Sequence, residues 1–416
     1  MKLRTHTSLW IAFAAVHLIL SALNIWGPGF PMGDVTRTYV VWAIHAREGL
    51  DRVGIDQAWV YPILAFLPMT LALYLPFFDY GTSWLLIVAV LDAAAFALLL
   101  GAGPIARSRR IAAIWWLGFM LALGPITLGR IDAITIPFAL AGLLWAAGRP
   151  RVASLLLVIG AWIKVWPGAL WAALVMSVRR RAEVVVVAIA LSIGIAVTSL
   201  LAGAGWNTFG FVAQQAGRGL QVESLGAIPF LWAIVFGSQA HSVVFNFDIL
   251  TFEVIGPNTA TMASVMTPFM ALGMALIAVV GYRAVRSGAS TSRVLPELAL
   301  GFTMVLIFTN KVGSPQYIVW LAPVVVYGFV IARRRMRTPA RLSIGIAILT
   351  QLIYPYFYSA LLEVQVWQVI VMTLRAGLEA WLLVWVIGSL WDAGRGSLRA
   401  DLRSWLDGAG RLLSKR

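Results

Sequence analysis

Cysteine is absent from this 416-residue chain, which removes disulfides and thiolate chemistry from consideration. Histidine is nearly absent: four are scattered along the sequence, and none has the spacing of a zinc site. Charge is scarce too, at 12% of residues, against roughly a quarter in soluble globular proteins. No glycine-rich phosphate cradle of the P-loop or dinucleotide-binding kind occurs, so a nucleotide fold is not indicated.

What remains is apolar. The chain is 61% hydrophobic, with a mean hydropathy of +0.87. Apolar runs of about twenty residues recur from end to end, too long for barrel strands, and a bilayer requires backbone polar groups to be satisfied within such runs. The sequence therefore predicts an all-α, polytopic transmembrane protein with about 11–13 membrane helices. The first run, residues 9–27, has no small-residue cleavage pattern after it and reads as a retained helix. The formal net charge of +15 is no sign of nucleic acid, because the arginines cluster between apolar runs and at the C-terminal end. They read as basic loops held at the cytoplasmic face.

These clusters assign sides. Lys2 and Arg4, Arg107 to Arg110, Arg149 and Arg151, Arg179 to Arg181, Arg283 to Arg293, and Arg333 to Arg337 mark the inner side, and an even number of crossings joins any two of them. Residues 111–128 with 131–147, 293–309 with 316–332, and 342–360 with 366–390 fit as pairs turning outside. Between residue 34 and Arg107 two apolar segments stand where the charges call for an odd number. Either one does not span or the Arg107 cluster is not inside. The run 152–178, interrupted at Lys164 and Pro167, reads as two half-helices. Residues 1–392 thus form one membrane domain with outer loops 28–60 and 204–258, the second holding short helices or a re-entrant piece. Residues 393–416 space Leu398, Leu402, Trp405 and Leu406 among arginines as a basic amphipathic cytoplasmic tail on anionic lipid. Both termini are then cytoplasmic.

Several polar groups fall on the outer side. Asp34 follows the first span in a Pro-Gly-rich turn, where it could act in chemistry or cap a short helix near Thr36. Lys164 lies 13 residues past Arg151, about 20 Å from the inner boundary of a hydrocarbon layer about 30 Å thick. An ammonium at that depth needs a partner or a polar cavity. With Arg37, Arg130, Arg218 and Lys311 on the same side, the pattern predicts an outward-facing cavity in which cations surround a lone acid. That mixture suits a phosphate-bearing substrate, with charge neutralised on the leaving group and a base for an attacking hydroxyl.

The Gly33-Asp34 loop followed by Tyr39, Trp59-Val60-Tyr61-Pro62, Lys164-Val165-Trp166-Pro167, the stretch from Arg218 to Ser224, and the turn from Asn310 to Gln316 carry a family resemblance. Together they resemble the GT-C class of polyprenyl-phosphate-sugar-dependent glycosyltransferases, in particular the actinobacterial family 87 that includes α-mannosyltransferases. The resemblance implies a polyprenyl-phosphate sugar donor, mannose foremost, and transfer with inversion to a hydroxyl of a lipid-linked or cell-envelope glycan acceptor. It implies Asp34 as base, with Lys164, Arg218 and Lys311 on phosphate, Gln316 on sugar or phosphate, and Glu223 orienting an arginine or accepting a sugar hydroxyl. Arg37, Tyr39, Asp56, Arg130 and Asp132 complete the expected substrate contacts, Asp56 being equally readable as structural. Family members often carry Gly-Gln-Val-Asn where this chain has Gly129-Arg130-Ile131-Asp132, and the doubled acidic motif of metal-dependent GT-C enzymes is missing. Metal-independent activity without a cofactor is therefore expected. Trp59, Trp166 and Trp320 are candidate sugar platforms. The competing class is a membrane transporter, or a flippase of a lipid-linked sugar.

Overall fold

Apolar runs interrupted by arginines and glycines fold into a helical bundle whose helices begin and end in a regular alternation. The computed structural model describes residues 2–75, 78–247 and 250–413. Helix α1 (Lys2–Trp26) leads to a π-helical turn at Asp34–Tyr39 and then to α2 (Val40–Arg47), α3 (Phe66–Leu73) and α4 (Tyr80–Leu100). Next come α5 (Arg107–Leu123), α6 (Ile131–Trp145), α7 (Pro150–Ile163), α8 (Pro167–Ser177) and α9 (Arg181–Leu201). A segment with the short helices α10 (Gly210–Ala216) and α11 (Ile228–Val235) follows, with the strands β1 (Ser242–Asn246) and β2 (Thr251–Ile255). The chain closes with α12 (Thr259–Arg286), α13 (Thr291–Phe308), α14 (Leu321–Ala332), α15 (Arg337–Ile353), α16 (Tyr358–Leu362) and α17 (Val366–Leu413).

Among the described residues, seven helices are long and apolar enough to cross a membrane. Shorter apolar helices, among them α6, α7 and α8, supplement them, which is why counting apolar runs gives a larger number. This is a multi-pass, mostly helical membrane protein. The departure from an all-helical chain is the antiparallel β1–β2 hairpin, whose register pairs Val244 with Glu253.

Each of α5, α7, α9 and α15 starts at a basic cluster, and each of α6, α8, α12, α13's partner α14 and their connections returns to one. The opposite helix ends carry the connections that hold Arg130, Lys164, Arg218 and Tyr354. Helix α4 explains the odd parity. Its start packs Gly81 beside Met32 and Thr36, while at its far end the Arg109 guanidinium donates to the carbonyls of Leu98 and Leu99 at 3.1 and 2.8 Å. Helix α3 spans eight residues, about 12 Å, too short to cross. Between residue 34 and Arg107, among the described residues, α4 is the helix long and apolar enough to cross. Residues 150–177 are indeed two half-helices, broken where Lys164 takes an extended conformation and Pro167 opens α8.

Packing sorts the helices. Most of α13 and α14 is buried, whereas α9 exposes Val186, Ile189, Ile193 and Val197, and α12 exposes Val265, Phe269, Leu272 and Leu276. Such apolar faces suit lipid contact. Lipid removes most of the hydrophobic incentive for helix association, so close approach and polar clamps take over. Gly142 on α6 sits where a Cβ would meet Leu157 of α7 at 2.8 Å. His17 of α1 and Asp92 of α4 pair at 3.2 Å in the interior. At the basic end, buried Glu297 accepts hydrogen bonds from Ser389 at 2.6 Å and Arg335 at 3.2 Å, tying α13, the α14–α15 connection and α17. The backbone of α17 runs on through the expected tail, while the side chains of 396–416 lie outside the described residues.

Candidate functional site

The connections opposite the basic clusters enclose a cavity of about 420 Å³. Asp34, Tyr39, Tyr61, Arg130, Lys164, Arg218, Glu223, Gln316, Tyr354 and Tyr358 are among its lining residues. Asp34 opens the π-helical turn after α1, and no side chain caps that turn. Its carboxylate meets Arg130 instead, Oδ2 to Nε at 3.2 Å, and stays 43% exposed while Arg130 is 8% exposed. Arg130 is held by other groups as well: it donates to the carbonyls of Pro31 and Gly129 and to the Tyr354 hydroxyl, the last at 2.8 Å. Asp34 is thus anchored on one side and open to the cavity on the other.

Lys164 occupies the break between α7 and α8. Its ammonium lies 4.5 Å from the Tyr61 ring centre, 5.7 Å from that of Tyr317, and 3.9 Å from Asp132 Oδ2. Cation–π contact and a counter-charge together make its burial tolerable. Lys164 also borders a second cavity of about 370 Å³, lined largely by apolar side chains such as Phe211, Val212, Met270 and Leu306. Lys311 lines this second cavity. Its pKa is held below the ordinary lysine value by partial burial and the nearby Arg218, with Glu253 acting the other way.

The remaining wall comes from residues 218–254. The Leu220 carbonyl accepts Val254 N–H at 2.9 Å and Val222 N–H donates to the Phe252 carbonyl at 3.1 Å, so this stretch pairs along β2. Glu253 accepts Gly219 N–H at 2.9 Å, and Gln221 N–H donates to the Lys311 carbonyl at 3.0 Å. Gly313 (φ 57°) lies against the backbone of Ser224 with no room for a side chain. Glu223 accepts a 2.6 Å hydrogen bond from Tyr358, and its own carbonyl takes one of 2.5 Å from Arg375. Burial raises the Glu223 pKa, opposed by Tyr358 and Arg375.

With this geometry in view, residues 59–242 match the sequence model described as Glycosyltransferase family 87. The match makes that stretch, somewhat under half of the chain, similar to the family. The polytopic helical fold is consistent with the GT-C class, and the match supports a likeness to sugar-transferring enzymes. No match is found among curated proteins or solved structures.

The family 87 match contains Trp59, Arg130, Lys164, Arg218 and Glu223, while Asp34 and Lys311 lie outside it. The structure brings Asp34, Tyr39, Arg130, Lys164, Arg218, Glu223 and Gln316 to the first cavity and Lys311 to the second. It does not bring Arg37, Asp56 or Asp132 to either. Arg37 lies over the Phe30 ring at 4.6 Å; Asp56 forms an exposed pair with Arg52 at 2.9 Å, which lowers its pKa; Asp132 is fully buried beneath Lys164. Trp166 and Trp320 stack on each other at 5.3 Å inside the protein, so neither offers an open platform to a sugar in the first cavity. Sequence reasoning left Tyr61, Tyr317, Tyr354 and Tyr358 without site roles, although Tyr61 belongs to the Trp59–Pro62 motif. Among the described residues no three histidine or acidic side chains gather as metal ligands.

Proposed function

We propose that this protein transfers a sugar, mannose foremost, from a polyprenyl-phosphate carrier to a hydroxyl of a lipid-linked or envelope glycan, with inversion. The observation that carries the reading is a half-exposed carboxylate, Asp34, lining the same cavity as Lys164 and Arg218. Asp34 takes the acceptor hydroxyl proton while the oxygen attacks the anomeric carbon. The anomeric carbon–phosphate oxygen bond breaks, and its electron pair leaves on the lipid phosphate beside Lys164 and Arg218. One base suits direct displacement better than the paired carboxylates of hydrolases. The apolar cavity sharing Lys164 supports an amphiphilic donor, its phosphate at the shared wall and its chain on the apolar side. Basic clusters at the opposite helix ends favour a cavity on the outer face with both termini cytoplasmic. Both cavities lie at one end of the bundle, which favours a transferase over a transporter that opens alternately to two sides.

Purified protein in nanodiscs, given polyprenyl-phosphomannose and a glycolipid acceptor, is expected to transfer sugar. Asp34→Asn retains the shape and a hydrogen-bond acceptor for Arg130, and is expected to lower turnover by about 10²–10⁴-fold with an unchanged melting temperature. Full turnover in that variant removes Asp34 from the chemistry. Parallel donors carrying arabinose or glucose decide the sugar.

A further inference from the structure

Lys164 is the cation common to both cavities, and what lies beneath it is a carboxylate that reaches neither. Asp132 is 0% exposed. Its Oδ1 accepts the Trp320 indole N–H at 2.7 Å, and Trp320 is fixed by stacking on Trp166 and on Tyr317, the latter at 4.3 Å. Oδ2 has no hydrogen-bond partner among the described residues and stands 3.9 Å from the Lys164 ammonium. That separation is an ion pair without a hydrogen bond, since N–H···O bonds close to about 2.7–3.2 Å. A rigid, desolvated anion therefore sits behind the ammonium without taking its N–H donors.

We propose that Asp132 is a positioning residue that tunes how tightly Lys164 holds a phosphate. This rests on the transferase reading, in which Lys164 meets the phosphate of the lipid carrier. Asp132 fixes the ammonium between the two cavities. It also repels an arriving phosphate through a medium that screens poorly, so the lipid phosphate left after transfer is bound less firmly and departs. The Trp320 hydrogen bond keeps the carboxylate from closing on Lys164 and quenching it. A neutral residue at this position gives a tighter phosphate site and a slower release.

The experiment measures binding of a short-chain isoprenyl phosphate to the full-length protein in detergent, alongside inhibition by the same compound. Asp132→Asn preserves size and the Trp320 contact. It is expected to bind the probe on the order of tenfold more tightly, with KM for donor and kcat both reduced and product inhibition strengthened. In the Lys164→Gln background the same substitution is expected to give no gain, because the effect passes through the ammonium. Unchanged or weaker binding by a folded Asp132→Asn protein overturns the proposal, as does an equal gain without Lys164. Failure of the wild-type protein to bind the probe overturns the phosphate-carrier reading itself, a distinguishable result.

Discussion

The two cavities at this end of the bundle differ in what surrounds a shared lysine. The first is built from connections: Asp34, Arg130, Arg218 and Glu223 come from turns between helices, and Arg130 answers the charge of Asp34. The second combines connections with helix faces, to which Phe211 and Val212 of α10, Met270 of α12 and Leu306 of α13 contribute an apolar side. Connections can hold polar side chains where helices part, whereas lipid-facing helices supply apolar ones. The two environments meet at Lys164, so on the proposed reading the difference teaches where the charged and greasy parts of a lipid-linked donor would separate.

Removing the shared group is the severest way to break this comparison. Lys164→Gln is expected to cost about 10²–10³-fold in turnover and to weaken donor binding, measured by steady-state kinetics and direct titration. Filling the apolar side sharpens it. Met270→Trp is expected to raise KM for long-chain donors about tenfold while a short-chain donor is used nearly as before, which a chain-length series checks. An equal loss with both donors removes the second cavity from carrier binding.

The smallest effect concerns the polar wall. Glu223 has a pKa raised by burial, so the folded state holds its proton more tightly than the unfolded state does. Its contribution is fully present below the unfolded glutamate pKa and is lost as pH rises through the folded value. Melting temperatures recorded between about pH 4 and pH 7 are expected to fall less steeply in Glu223→Gln than in the wild type. Identical slopes remove this group from the pH dependence.

Much of the framework was legible from residue order. Lysine and proline interrupting the 152–178 run announced the break that aims Lys164, and arginine clusters announced which helix ends face away from the site. Helix α3 was legible only as one of two alternatives, because eight apolar residues followed by a turn resemble the beginning of a span. The tyrosines were hidden for a chemical reason: at the ends of membrane helices their rings serve equally well as interfacial anchors. Asp132 was misplaced by one side-chain direction, since it opens α6 two residues after Arg130 and turns inward beneath Lys164. The hairpin was missed because its partners, Leu220 and Val222, precede it by some thirty residues in a segment that reads as irregular.

Gln221 hangs from the Lys311 carbonyl, and Gly313 fits flush against Ser224. Two segments well separated in sequence are therefore riveted into a single partition between the two chambers. A partition held at both of these contacts has little slack, so the two chambers share one wall whose shape neither can change alone.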